Sequence, residues 1–326
     1  MSGSARFLVK LGVSLGLLYF ILSVVPLSDI LGNLRDTRPW PALAGLALMP
    51  VMFYLLATQT RVLATQQGMS LSVGQIFRIS FITNFYGLFL PGTLAGGVIR
   101  WYKYARVDNK PIEALATIAF GRLLNTLVAV ALGMLCWALD NTARQDAAVG
   151  ASLGVVLALL VFIYWLFSHQ DHARQLATKL DARAYVPALV RSATGRILRA
   201  ASEFHRLPVR RILSISVVLL IYHLLGIASY VLFSRALEID TSVISLGWIR
   251  TAVLLVILIP VSIGGLGIRE GGLIYMLHAY GVSPALAVAL SLLLFGRKLL
   301  AGAIGAIFEM WDVLGQRGSW LARRLR

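Results

Sequence analysis

The chain has 326 residues, of which 58% are hydrophobic and only 13% charged, with a formal net charge of +16. A water-soluble domain carries about 25% charged residues, so water cannot be the solvent for most of this surface, and a lipid bilayer is the expected one. The positive charge stands beside apolar runs and in one middle segment, where anionic headgroups and the positive-inside effect account for it, so no nucleic-acid partner is expected.

In chain order, apolar spans are predicted at Phe7–Val25, Trp40–Leu63, Ile112–Leu139, Ala147–Phe167, Ile212–Phe233, Val243–Ile259 and Ala285–Phe308. The first follows Arg6 and Lys10 and lacks a small-x-small cleavage pattern before Pro26, which points to an uncleaved helix. Two further stretches are apolar but broken. Leu71–Val98 is interrupted at Pro91, Gly92, Gly96 and Gly97, and Ser262–Tyr280 at Gly264, Gly265 and Gly267, with Arg269 and Glu270 inside it. The single cysteine, Cys136, excludes an intrachain disulfide and a Cys-based metal cluster, and no histidine pair has ligand spacing, so no metal or cofactor is expected.

Link charges orient the spans. Arg6 and Lys10 put the N-terminus in the cytoplasm, and the tail with Arg317, Arg323, Arg324 and Arg326 joins it there. The links 26–39 and 140–146 are neutral or acidic and read as outside, as does the link with Glu238 and Asp240. Residues 169–211 carry nine Lys/Arg and three acids and read as a cytoplasmic basic amphipathic linker. This bookkeeping makes Leu71–Val98 enter and leave on one side, as a re-entrant element. It also makes Ser262–Tyr280 return outward after Val243–Ile259 has gone inward. The expected fold is all-α: one polytopic membrane domain over 1–326, with about eight membrane-crossing helices plus a re-entrant element.

The chain repeats itself. "FLPGTLAGGVIRWYKY" sets Pro91, Gly96, Gly97 and Arg100 in order, and "IPVSIGGLGIREGG" sets Pro260, Gly264, Gly265 and Arg269, with proline and arginine nine residues apart in both. Phe120-Gly121-Arg122 and Phe295-Gly296-Arg297 follow. By the charge-derived topology the copies, 71–139 and 243–311, run in opposite directions as inverted pseudo-repeats. Gly/Pro-interrupted segments in corresponding positions of two halves point to a transporter binding site. The alternative is that the glycines only permit close helix packing.

Charge in the apolar runs argues against packing alone, because an arginine at the centre of a membrane helix costs roughly 2.5–3.5 kcal/mol. Arg122 lies ten residues into its span, about 15 Å at the helical rise, and Arg297 is similarly deep. Arg100, Arg122, Arg269, Glu270 and Arg297, with Asn84 and Asn125, are the candidate substrate-binding residues, and an arginine-lined cleft suits a phosphate headgroup. Pro91, Gly96, Gly97, Pro260, Gly264, Gly265 and Gly267 are the candidate helix breaks lining it. Glu270 alternatively makes a fixed salt bridge, and Glu309 and Asp312 read as solvated caps.

These segments, with "FGRLLN", resemble the lysylphosphatidylglycerol synthase transmembrane-region family, over roughly residues 7–314. The resemblance implies a lipid translocator, a flippase or scramblase of the cytoplasmic (inner) membrane that moves an anionic phospholipid or a polyprenyl-phosphate-linked sugar. The aminoacyltransferase domain fused to the membrane region in the bacterial multiple-peptide-resistance protein is not expected here, so neither lysyl-lipid synthesis nor a fixed preference for that lipid is expected. No ATP-binding or catalytic motif is present, and no enzymatic activity is expected. The alternative is an accessory lipid-binding protein that recruits or regulates a membrane glycosyltransferase or lipid-modifying enzyme. Self-association into a homo-oligomer is left open.

Overall fold

A computed structural model of the chain describes residues 25–89, 93–142, 147–168, 203–258, 265 and 267–324, together with 19, 21 and 23. The first predicted span, 7–25, therefore lies largely outside the described residues, as do 169–202 of the basic linker, Pro91, Gly92, Pro260 and Gly264. Among the described residues there are ten α-helices and no strand: α1 Leu27–Arg35, α2 Pro39–Gln66, α3 Val73–Phe89, α4 Thr93–Asp108, α5 Pro111–Leu139, α6 Ala147–Ser168, α7 Val209–Ala236, α8 Val243–Leu258, α9 Ile268–His278 and α10 Pro284–Arg324. A short 3-10 turn, Glu203–Arg206, precedes α7. The linker's last residues, 209–211, already form the first turn of α7.

Five helices, α2, α5, α6, α7 and α10, are long and apolar enough to cross a bilayer. They carry large apolar side chains on their outer faces, among them Tyr54, Leu135, Leu159, Phe162 and Leu213. In water such exposure would be costly, whereas in lipid it is the expected solvent-facing surface. The chain is a multi-pass membrane protein.

Four shorter helices form two hairpins. The 17-residue α3 and 16-residue α4 both have their outer ends at one face, where Asp108 accepts hydrogen bonds from Ser70 N at 2.7 Å and Ser70 Oγ at 2.5 Å. At the opposite face, Trp248 near the start of α8 donates its indole N–H to Tyr280 Oη just after α9, at 3.0 Å. With 16 and 11 residues, α8 and α9 span about 24 Å and 17 Å, short of a hydrocarbon core about 30 Å thick.

Two runs of elements correspond. α2–α5 and α7–α10 each consist of a long helix, a hairpin of two shorter helices, and another long helix. α2 and α7 are both 28 residues long. Each ends two residues before a left-handed position, Gly68 (φ 67°) and Glu238 (φ 58°). The next amide then reaches back five residues, Met69 N to Ala64 O and Ile239 N to Ser234 O, both at 2.9 Å, a Schellman-type stop. Lys110 N to Ala105 O and Val282 N to Leu277 O end the hairpins in the same way. Proline then starts both closing helices, at Pro111 and Pro284.

The corresponding long helices α2 and α7 pack antiparallel. Arg38 N donates to Ala236 O at one end (2.8 Å), Ser229 Oγ to Gly45 O farther along (3.2 Å), and Gln66 Nε2 to Glu203 O at the other end (3.3 Å). Each hairpin's first helix packs antiparallel on the closing helix of the other run. Arg78 of α3 meets Asp312 of α10 while Leu88 meets Gly302. Trp248 of α8 meets Asp140 after α5 while Thr251 Oγ1 donates to Ala129 O. Small residues allow these approaches: a Cβ on Gly133 would stand 2.5 Å from Thr251, and one on Gly305 would meet the Phe81 carbonyl oxygen.

Candidate functional site

The two hairpins insert from opposite faces and leave a cavity of about 420 Å³ between α2, α3, α4, α5, α8 and α10. That volume is within the 300–1,000 Å³ typical of small-ligand sites. Arg100 of α4, Arg122 of α5 and Lys298 of α10 all line it, together with Asn84, Asn125, Gln59 and Thr117. None of the three cations is in an ion pair among the described residues, and no carboxylate is among the described lining residues.

The polar atoms of this cavity are unusually short of partners. Gln59 Nε2, Arg100 Nε, Thr117 Oγ1 and Asn125 Oδ1 are buried without a hydrogen bond. Buried polar groups are nearly always paired with protein or water, so a cluster of them unpaired by protein around a hollow offers hydrogen bonds to water or a polar ligand. Three of the four can donate, and the amide oxygen of Asn125 accepts.

Local structure explains why these side chains converge. α3 ends at Phe89 and α4 starts at Thr93, and Gly96 and Gly97 of α4 come to the cavity wall. A Cβ on Gly96 would stand 3.1 Å from Thr83, so glycine there lets α4 lie close to α3. One turn beyond Gly96, Arg100 reaches the hollow. Gly121 does the same for α5, since a Cβ there would press on Gln59 at 3.2 Å.

The second arginine motif has a different fate. Arg269 Nη2 lies 2.6 Å from Glu270 Oε1, Arg269 Nε donates to Ser291 Oγ at 2.6 Å, and Ser291 Oγ donates to Glu270 Oε1 at 2.7 Å. Gly267 N donates to the other carboxylate oxygen at 2.7 Å, and both charged residues are buried. Gly265 and Gly267 supply the positive φ, 83° and 81°, that this turn requires. Arg269 and Glu270 thus neutralise each other and do not line the cavity. Arg297 does not line it either: its Nη1 donates to Ser229 Oγ at 3.0 Å, on α7.

Three polar residues were not among the candidate site residues. Lys298 lines the cavity where its neighbour Arg297 does not, because successive helical residues point about 100° apart. Gln59 stands in an apolar helix without any motif around it. Arg250 is buried on α8, where its Nη1 donates to His223 Nδ1 at 3.1 Å while His223 Nε2 donates to the Asn125 carbonyl at 2.9 Å. The backbone acceptor fixes the neutral tautomer with hydrogen on Nε2, leaving Nδ1 free to accept from the guanidinium. An arginine in the middle of an apolar run was the available signal for Arg250.

Each end of the protein has its own polar cluster. At the face shared by the α3 and α4 outer ends, Lys103 Nζ lies 2.5 Å from Glu309, Tyr86 Oη donates to Glu309 at 3.0 Å, and Arg78 pairs with Asp312 at 2.6 Å. Glu309 and Asp312 are therefore paired groups that tie α10 to the hairpin, not the solvated caps the sequence suggested. Near the other face, Tyr280 Oη donates to Asp140 at 2.7 Å, and burial, followed by that hydrogen bond, pushes its phenol up to about 12. Among the described residues no group of His, Cys, Asp and Glu could hold a metal ion.

The family model described as "Lysylphosphatidylglycerol synthase TM region" matches residues 7–305. No curated protein matches the chain.

Proposed function

This chain belongs to the lysylphosphatidylglycerol synthase TM-region family, and on that premise we propose that it is a flippase or scramblase for lipids with an anionic phosphate headgroup. The observation that carries the reading is the cavity of Arg100, Arg122 and Lys298, with unpaired donors around it and no carboxylate among its described lining. Moving a charged headgroup through hydrocarbon is prohibitive unless protein groups replace its water. Guanidinium and ammonium donors in a cavity do so, while the tails stay in lipid.

In this reading α2–α5 and α7–α10 are inverted halves, which rock against each other so that the cavity faces one leaflet and then the other. The ion pairs of Lys103 and Arg78 with Glu309 and Asp312 close one end, and the Asp140–Trp248–Tyr280 cluster closes the other. The basic residues of the 169–211 segment and the C-terminal tail favour the first end as the cytoplasmic one, and the membrane in this reading is the cytoplasmic (inner) membrane. The activity needs no covalent step, and the chain's partner is the lipid.

The test is headgroup translocation in proteoliposomes carrying fluorescent phospholipids, with wild type, Arg100→Ala and Arg122→Ala. Protein-dependent movement that falls at least tenfold in both variants, while each retains its thermal midpoint in detergent, is the expected result. Movement indistinguishable from protein-free vesicles for every anionic lipid tested, wild type included, would end this assignment.

A further inference from the structure

The charge count of the cavity specifies more than a phosphate, and the following rests on the lipid-translocation reading above. Arg100, Arg122 and Lys298 bring three cations to one hollow. The other carboxylates of the helical region stand apart from it: Glu270 is bound to Arg269 and Ser291, Glu309, Asp312 and Asp140 belong to the clusters at the two ends, and Glu113, a turn before Thr117 on α5, is not among the lining residues. The segments joining α3 to α4 and α8 to α9, residues 90–92 and 259–267, contain no acidic residue in sequence. The repeat makes the contrast internal. Arg269 is followed by Glu270, which neutralises it, whereas the corresponding Arg100 is followed by Trp101 and has no such partner.

Three like charges gathered in one hollow repel one another, with Arg122 exposed and Arg100 and Lys298 half-buried, and an anionic ligand entering it supplies the counter-charge. A phosphodiester supplies one negative charge. A phosphomonoester supplies about 1.5–2 at pH 7, because its second pKa is about 6, and a diphosphate supplies more. An aminoacylated headgroup would add an ammonium to three cations already present, a like-charge arrangement that selects against it. We infer that the cavity is built for a terminal phosphoryl group with more than one negative charge, a phosphomonoester or diphosphate, and discriminates against phosphodiester and amino-bearing headgroups. Gln59 Nε2, Arg100 Nε and Thr117 Oγ1 add neutral and charged donors to that group, and Asn125 Oδ1 accepts from a hydroxyl of the ligand.

The experiment is calorimetric titration of the full chain in detergent with dihexanoyl phosphatidic acid, dihexanoyl phosphatidylglycerol, its lysyl ester, and glycerol 3-phosphate. Phosphatidic acid should bind at least tenfold tighter than phosphatidylglycerol, and the lysyl ester weakest. In wild type the preference should shrink between pH 7.5 and 5.5 as the monoester takes up its second proton. Lys298→Gln and Arg122→Gln should each cut the ratio below threefold while phosphatidylglycerol still binds. Equal affinity for phosphatidic acid and phosphatidylglycerol, or tightest binding of the lysyl ester, would overturn the inference, as would a ratio unchanged across that pH range. Glycerol 3-phosphate binding as tightly as phosphatidic acid would uphold the charge class and identify a free phosphate ester as the source. The predicted affinity order without translocation in vesicles would contradict the proposed function and leave this inference standing.

Discussion

Arg297 and Lys298 are neighbours in sequence and serve different parts of the protein, one bonded to Ser229 of α7 and the other facing the cavity. Arg100 and Lys103, a turn apart on α4, divide likewise between the hollow and the Glu309 pair. Sequence identifies such residues because a charge in an apolar run needs a reason. It does not identify the direction in which they point, since a helix apolar on most sides has no hydrophobic stripe to orient it. Arg100, Arg122, Asn84 and Asn125 were legible on that ground, whereas Arg269, Glu270 and Arg297 belong to the framework. For Arg269 the consequence is measurable. Arg269→Met leaves the buried Glu270 without its cation and should destabilise the protein by roughly 3–5 kcal/mol, seen as a lower thermal midpoint in detergent. Adding Glu270→Gln should restore most of it. A single variant as stable as wild type would contradict the framework role.

The α3–α10 contact shows how glycine sets the spacing of elements. Gly302 faces the Leu88 side chain and Gly305 the backbone at Phe81, so α10 lies against α3 with no side chain of its own at these two positions. Gly305→Ala drives a methyl group into the Phe81 carbonyl and should cost about 1–3 kcal/mol, as overpacking does. Gly296→Ala meets nothing within 4 Å and should be neutral or slightly stabilising through helix propensity. Thermal midpoints of the two variants check this, and equal midpoints would rule out the close approach as a determinant. The first hairpin was readable from Pro91, the paired glycines and the link charges, whereas 243–259 and 262–280 were expected as two crossings and form a second hairpin whose helices, of 16 and 11 residues, are too short to span. The packing partner of each hairpin was not readable, because α3 contacts a helix some 200 residues later through residues that carry no motif.

At the scale of the molecule, the motifs around Arg100 and Arg269 were visible as a repeat, yet the corresponding elements begin one helix earlier, at α2 and α7. Those two helices share length, a left-handed stop and antiparallel packing, but their sequences are generic apolar runs in which correspondence leaves no trace. The same architecture gives the two hairpins opposite points of entry and places one cationic hollow between them. Whether a headgroup occupies that hollow is the central claim. Its most direct measurement is photocrosslinking in vesicles with a phosphatidic acid analogue that carries a diazirine on the glycerol beside the phosphate, followed by peptide mapping. The account predicts adducts on the segments around Arg100–Tyr104 and Thr117–Asn125, lost in Arg122→Ala. Adducts confined to the outer faces, such as Leu159 and Phe162 of α6, and unchanged by that substitution would contradict it.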